Sequence, residues 1–454
     1  MNCMFLLGYG GVLYLLLLIS GSDINVAIMS FHMCNDTIVF FVKIIAVILF
    51  LFILWLFHIY FFYNKIGSPE PALLLTLFFW ASLICVMSND FFFFYLLMEM
   101  LTIISYLLAC THKYSMVSAE ASLKYFILGA MSSGFMLLGF VLLYGYTGLT
   151  CFSDFQFVFS LGVDFTFIGF GVLVSFLLIL AGFLFKLSIV PFHIWVPDVY
   201  DGVLPPVVLL FSTLSKVVFI TILCKVLWNV FFDFVWLWSF ILFFCGLLSV
   251  FLGSVGGLMQ NSIARLYAYS TIVNGGFFCC FLSLGTLEGL IYLYNYLCIY
   301  ILTSMALFAV LTFFLIQKEG YSHGFVYLNE LAIFAQVSGL AALVFIMVFF
   351  SYAGIPPLSG FFGKFFLFYN FYVKPGFLFG FLVILFITVL SSIYYVRCIY
   401  LMFFFQEKPS FFLKKEGFSF NTILVSFLFL FVLFLFFQPT LVSLLQFVFY
   451  SIWL

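Results

Sequence analysis

The chain has 454 residues, of which 67% are apolar, 24% aromatic and only 7% charged, with a formal net charge of −1. That balance excludes an ordinary soluble domain and offers no basic patch for nucleic acid. It describes an all-α polytopic membrane protein.

Windows of about 20 apolar residues, separated by polar or Pro/Gly breaks, predict thirteen spans. They run over 4–20, 38–63, 71–88, 91–111, 120–146, 168–196, 203–227, 234–256, 264–284, 288–316, 332–372, 376–404 and 421–447. Residues 4–19 lack a basic flank and read as a first span rather than a cleaved leader. The eleventh window is too long for one straight helix, and AGIPPLSG at 353–360 interrupts it. The longest loops are 21–37, 147–167, 317–331 and 405–420, none of them able to house a nucleotide-binding domain. The 11 cysteines are scattered, with no CxxC, zinc spacing or ferredoxin-type run, and read as small core residues. No metal ligand set is expected. The 74 phenylalanines suit a T-rich coding strand such as some organelle genomes carry.

If the spans alternate, one side receives Lys65, Lys113, Lys318, Lys408, Lys414 and Lys415, with Arg265 and Arg397 near it. The other receives Lys225 and Lys374 with Asp23, Asp36, Asp90, Asp154 and Asp164. The positive-inside bias then puts the N-terminus on the cytoplasmic or matrix side and the C-terminus outside.

Against this background the charges inside the spans stand out. A charged side chain at the middle of a bilayer costs about 2.5–3.5 kcal/mol on insertion scales. Glu99 sits in FFFFYLLMEMLTIISYLL near the middle of the fourth span, Lys186 lies deep in the sixth span one turn before Pro191, and Lys216 is central in the seventh. Lys364 follows the second helix break. Each is a candidate proton-handling group, with Glu99 the candidate partner of Lys186. His193, directly after Pro191, can donate and accept at once and suits a relay between lysines. Lys124, one turn into the fifth span, can take part, snorkel, or pair with Glu120 at i−4. Asp198 and Asp201 are expected to face water or cap the next helix. Lys43, His58 and Arg397 read as anchors.

Two helix breaks recur in the two halves: Pro191/Pro197 with Lys186, and Pro356/Pro357 with Lys364. Spans four to seven with a flanking helix would match spans eight to twelve. Five helices is an odd number, so the halves would be inverted, the common plan of ion-coupled transporters. The expected divisions are N-terminal helices at 1–90, a first repeat at 91–227, a second at 228–404, and a C-terminal helix at 405–454.

Several segments carry a family likeness. FKLSIVPFHIWVPDVYDG followed by LSKVVF resembles the signature of the antiporter-like membrane subunits of NADH:quinone oxidoreductase (respiratory complex I), in particular the subunit 2, or bacterial subunit N, branch. LLMEMLTIISYLL with SAEASLKYFILGAMSSGFMLLG, RLYAYSTIVNGGF and AGIPPLSGFFGKF resemble further family segments in the same order, so the likeness covers about residues 90–404. PDVYDG points to this branch among its sister subunits. The resemblance implies that Glu99 and Lys186 form the pumping pair, that Lys216 is the middle relay lysine with His193 beside it, and that Lys364 faces the other channel or a neighbouring subunit. Lys124 would match a further lysine on the helix after the glutamate. Asn274 stands where the family commonly has His, so a relay there would need water. Bacterial members have one more helix before the glutamate, which agrees with an N-terminus on the inside.

The resemblance implies proton translocation in the mitochondrial inner membrane as part of NADH:ubiquinone reductase. Neighbouring membrane-arm subunits, lipids and protons would be its partners. No cofactor is expected on this chain; NADH, FMN, iron–sulfur clusters and ubiquinone would belong to partner subunits. Competing readings are an Mrp-type cation/proton antiporter component, a chloroplast-type counterpart, and a scaffold that has lost pumping.

Overall fold

The computed structural model describes residues 26–28, 32–63, 70–112, 115–160, 167–317, 327–332, 339–404 except 357, 375 and 377, and 438–449. The predicted first span, and the first part of the last, lie outside these residues. So do Lys65, Lys113, Lys318, Lys408, Lys414, Lys415, Asp23, Asp164 and Pro357.

Uninterrupted apolar sequence gives helix because, inside a bilayer, only a helix satisfies every backbone group within its own segment. Ten helices among the described residues are long and apolar enough to cross a membrane. The first described elements form an antiparallel ribbon, β1 (Val26–Ile28) and β2 (Met33–Asn35), in what the sequence predicts as loop. Then come α1 (Thr37–Tyr63), α2 (Glu70–Met87), α3 (Phe91–Ala109) and α4 (Met116–Thr147). Asp90 caps α3 by accepting from the Phe92 amide at 3.0 Å, and Ser115 caps α4. A short helix, α5 (Phe152–Ser160), lies within the predicted 147–167 loop.

The predicted sixth span is two pieces, α6 (Phe167–Lys186) and α7 (Trp195–Gly202). The helix stops at Lys186 because Pro191 supplies no amide hydrogen and Ser188 takes a left-handed φ of 61°. The Trp195 indole spans the gap, donating to the Phe185 carbonyl at 3.3 Å.

The predicted seventh span is also divided, which its sequence pattern did not reveal. α8 (Pro205–Ser212) and α9 (Leu214–Lys225) meet at Thr213, and a π turn (Val226–Val230) follows. Ser212 and Thr213 both donate to the Leu209 carbonyl, and Ser215 donates to the Phe211 carbonyl. Hydroxyls turned back onto the preceding turn bend helices. These three are clustered within four residues.

The second half holds α10 (Val235–Leu258), α11 (Ile263–Ser283), α12 (Leu287–Gln317), α13 (Gly339–Ala353), α14 (Ser359–Val373) and α15 (Leu378–Phe404). A further apolar helix, α16 (Gln438–Phe449), packs its Phe449 ring against Tyr294 of α12. The predicted eleventh span is thus α13 and α14, broken where expected. Gly354 turns the chain with φ 82°, a conformation that favours glycine. Gly360 lets α14 cross α13 closely: a Cβ there would stand 1.8 Å from the Ser351 carbonyl oxygen.

Cross-chain contacts agree with alternating spans. Lys225 reaches both Asp36 (4.0 Å) and the Val86 carbonyl (2.9 Å), and Asp90 bridges to Cys151, so these groups share one end. Arg265 meets Asp198 and Asp201, and Arg397 donates to the Leu258 carbonyl, at the opposite end. The core runs through α8, α9, α11 and α12, whose residues are almost all buried, while α4, α10 and α15 expose apolar faces.

Candidate functional site

α11 is the axis of the site. Both broken helices and α9 approach it, and its sequence RLYAYSTIVNGGF is buried over most of its length. A Cβ on Gly275 would lie 3.3 Å from the Leu187 carbonyl in the first break, and the Lys364 ammonium stands 5.5 Å over the Phe277 ring from the second.

Lys186, Lys216 and Lys364 are buried, with relative exposures of 6%, 2% and 7%. Their partners differ. Lys216 Nζ donates to the Thr271 carbonyl of α11 at 2.9 Å and sits 5.8 Å from the Tyr300 ring centre. Lys364 Nζ donates to the Tyr352 and Ala353 carbonyls at 2.6 and 3.2 Å, capping the C-terminus of α13. A cation there meets the negative end of the helix dipole. Among the described residues Lys186 Nζ has no hydrogen-bond partner. Neither has Glu99 Oε1, although Glu99 lies within electrostatic reach of Lys186. The Thr102 hydroxyl donates to the Glu99 backbone carbonyl (2.9 Å) and reaches Glu99 Oε2 at 3.3 Å. The two breaks are not alike: Lys186 ends the first half of its helix, whereas Lys364 lies in the second half of its own.

His193 lies in the first break, half-buried, its Nδ1 without a hydrogen-bond partner among the described residues. It makes no hydrogen bond to Lys216. Lys124 occupies a different environment, half-exposed among Glu120 (2.8 Å) and Asp198 (3.0 Å). Arg265 extends this group to Asp201 at 2.9 Å. Asp198 and Asp201, expected to face water or cap a helix, are partly exposed and also tie α7 to α4 and α11 through these cations. Lys43, expected as an anchor, is buried and donates to Asn35 Oδ1 at 2.8 Å.

The sequence reading missed the hydroxyls between the lysines. The Tyr300 hydroxyl donates to the Ser212 carbonyl (3.0 Å) at the Thr213 break and lies 3.4 Å from the Tyr267 hydroxyl, which donates to Ser212 Oγ (2.8 Å). The Tyr296 hydroxyl donates to Asn274 Oδ1 at 2.7 Å. A cavity of about 10 Å³, near the lower limit for one water, is lined by Asn274, Tyr296, Tyr300, Thr303, Ser351, Tyr352 and Lys364. Tyr300 therefore touches the surroundings of both Lys216 and Lys364. The available signal was Tyr296 and Tyr300 at i, i+4, which share a helix face.

The sequence model of the family described as NADH:quinone oxidoreductase/Mrp antiporter, TM, matches residues 88–393. The chain belongs to that family. It is 33% identical to NADH-ubiquinone oxidoreductase chain 2 of Marchantia polymorpha over 84% of this chain and 76% of that one. It is 31% identical to NADH-quinone oxidoreductase subunit N of Pelagibacter ubique over 90% of this chain and 86% of the relative. Among solved structures, one of respiratory complex I from Thermus thermophilus superposes with a TM-score of 0.77 at 25% identity, covering 97% of this chain and 92% of that one. The Mrp complex of Dietzia sp. DQ12-45-1b gives 0.81 at 17% identity over 99% and 91%, a likeness of fold. The expected antiporter-like architecture is the one observed, with both expected broken helices and a further break at Thr213.

Proposed function

We propose that this chain is a membrane-arm subunit of a complex I-type NADH:quinone oxidoreductase and that it moves protons through a buried Glu/Lys relay. The observation carrying this reading is the pair Glu99 and Lys186, each with a fully buried polar atom left without a hydrogen bond, beside a broken helix. A buried charge without a close partner is destabilising, and an ionisable residue inside a membrane is a functional group by default.

In this mechanism NADH oxidation, FMN and iron–sulfur electron transfer and ubiquinone reduction take place on partner subunits. Their charge movement alters how strongly Glu99 holds Lys186. Lys186 then passes a proton toward Lys216, and the hydroxyls of Tyr300 and Tyr267 with the Asn274 cavity carry it toward Lys364. His193 serves the Lys186 end. Moving one charge against 100 mV takes about 2.3 kcal/mol, and a two-unit change in a group's proton affinity supplies about 2.7 kcal/mol. One rearranged pair is therefore of the right size. Residues 91–227 and 228–404 act as the two halves of this device, each with one helix broken at proline beside a buried lysine. The relative in Marchantia polymorpha supports a place in the mitochondrial inner membrane, with the N-terminus in the matrix from the charge bias.

The test replaces Lys186 by Met at the matching position of a bacterial relative and compares NADH-driven proton translocation in sealed vesicles with assembly of the complex. Loss of translocation in an assembled complex supports the relay. Unchanged translocation would sink it.

A further inference from the structure

Away from the lysine row, three segments meet at one end of α3. The Asn89 amide donates to the His32 carbonyl (2.9 Å), the Phe91 amide to the Thr150 carbonyl (3.1 Å) and the Phe152 amide to the Asn89 carbonyl (2.9 Å). Isolated bridges pair Met33 with Ser88 and Asp90 with Cys151. This backbone knot brings together the side chains of His32, Asp90 and Cys151, whose donor atoms all lie within 4.8 Å of one another.

The three donors are an imidazole nitrogen, a carboxylate oxygen and a thiol sulfur. Asp90 is buried and uses Oδ1 to cap α3, leaving Oδ2 facing His32 Nδ1 at 2.8 Å. Donor atoms around a tetrahedral Zn²⁺ with bonds of about 2.0–2.3 Å stand roughly 3.3–3.8 Å apart. His32 Nδ1 and Asp90 Oδ2 need to separate by only about half an ångström to admit the ion, and the His32 side chain, 48% exposed, is free to give that distance. Mixed nitrogen, oxygen and sulfur ligation suits Zn²⁺ over Mg²⁺ or Ca²⁺, which take oxygen. Three protein ligands leave one position open to water.

We propose that His32, Asp90 and Cys151 form a Zn²⁺-binding site. No ligand spacing marks it in the sequence, because its donors are 58 and 61 residues apart along the chain. A bound ion would brace the N-terminus of α3, nine residues before Glu99 on the same helix.

The test uses the native assembly containing this chain, purified in detergent and stripped with EDTA. Alkylation of Cys151 by N-ethylmaleimide is followed by peptide mass spectrometry with and without micromolar Zn²⁺. Exposed Cys110 serves as the control within the same chain. A liganded thiolate is withdrawn from reaction, so Zn²⁺ slows Cys151 about tenfold or more, reversibly with EDTA, and leaves Cys110 unchanged. Equal rates for Cys151 with and without Zn²⁺ would overturn the site. Should Cys151 prove too slow to compare, retained ⁶⁵Zn²⁺ per assembly decides instead. His32→Ala, which leaves the Asp90 cap in place, then loses one equivalent if the site exists, and retention equal to the unsubstituted chain refutes it.

Discussion

The Lys364 ammonium lies 2.6 Å from the Tyr352 carbonyl oxygen, so a residue of the second half of a broken helix closes the open end of the first. The same device recurs elsewhere: Lys225 donates to the Val86 carbonyl, Lys374 to the Leu284 carbonyl and Arg397 to the Leu258 carbonyl. In each case a cation meets carbonyls that a terminating helix leaves without partners. Lys364 differs because it does so between two halves of an apolar segment, where it is buried.

Two substitutions separate this capping role from the proposed proton transfer. Lys364→Met leaves the buried Tyr352 carbonyl unpaired, at about 1–3 kcal/mol, takes the donor from the half-buried Ala353 carbonyl, and is expected to lower the amount of assembled complex. Lys364→Gln keeps an N–H donor but carries no transferable proton. It should assemble at near-normal levels and lose most proton translocation. Immunoblots of the assembled complex alongside vesicle acidification rates check both outcomes.

Gly360→Ala tests the crossing of α13 and α14. The added Cβ would fall 1.8 Å from the Ser351 carbonyl oxygen, inside the van der Waals limit and against backbone that cannot swing aside. The expected result is loss of the folded subunit. Gly376→Ala, where a Cβ meets nothing within 4 Å, should be silent. Subunit abundance in membranes distinguishes the two.

Tyr300→Phe removes the hydroxyl that serves the Ser212 carbonyl and faces Tyr267. The ring stays, so packing around Lys216 is retained. The expected cost is about 1–3 kcal/mol for an unpaired buried carbonyl, tolerated in a large assembly. If the hydroxyl also carries protons between Lys216 and Lys364, translocation slows while the complex stays assembled. A normal rate per assembled complex would remove Tyr300 from the path.

Arg265→Ala probes the outer ion group. Its partners Asp198 and Asp201 are substantially exposed, so each pair contributes only about 0–1 kcal/mol. Thermal inactivation of the complex should change little, and its small dependence on this residue should vanish at high salt.

Much of this was legible in the sequence because bilayer physics is restrictive. Long apolar windows could only be helices, and mid-span charges could only be expensive. The break at 353–360 was visible because Pro356 and Gly354 punctuate it. The break at Thr213 was not, since Ser and Thr signal a kink only through hydroxyls that turn back onto the preceding turn. Lys124 and Lys216 look alike as lysines within apolar runs, yet one meets surface carboxylates and the other a buried carbonyl. That difference depends on which helices come together. The tyrosine hydroxyls between the lysines were hidden for the same reason, in a chain where aromatics are everywhere. His32, Asp90 and Cys151 are distant in sequence and meet only through backbone bridges.

The sharpest test of the relay is at Glu99. Among the described residues its Oε1 is buried without a partner, and the carboxylate is held only by the neighbouring hydroxyls of Thr102 and Tyr95, with no cation within 4 Å. Glu99→Gln removes the charge at constant volume and should leave assembly intact, because no ion pair is broken within 4 Å. Without a charge to hold, Lys186 has nothing to respond to, and translocation should fall to a small fraction of normal. Glu99→Asp keeps the charge but draws it back by one methylene, about 1.5 Å. Coulomb attraction across a low-dielectric gap falls as distance grows, so an intermediate rate is expected. Proton translocation per NADH oxidised, measured on assembled complexes of all three forms, should rank Glu above Asp above Gln. A Gln variant that pumps normally would show that Glu99 is structural and that Lys186 takes its driving charge from elsewhere.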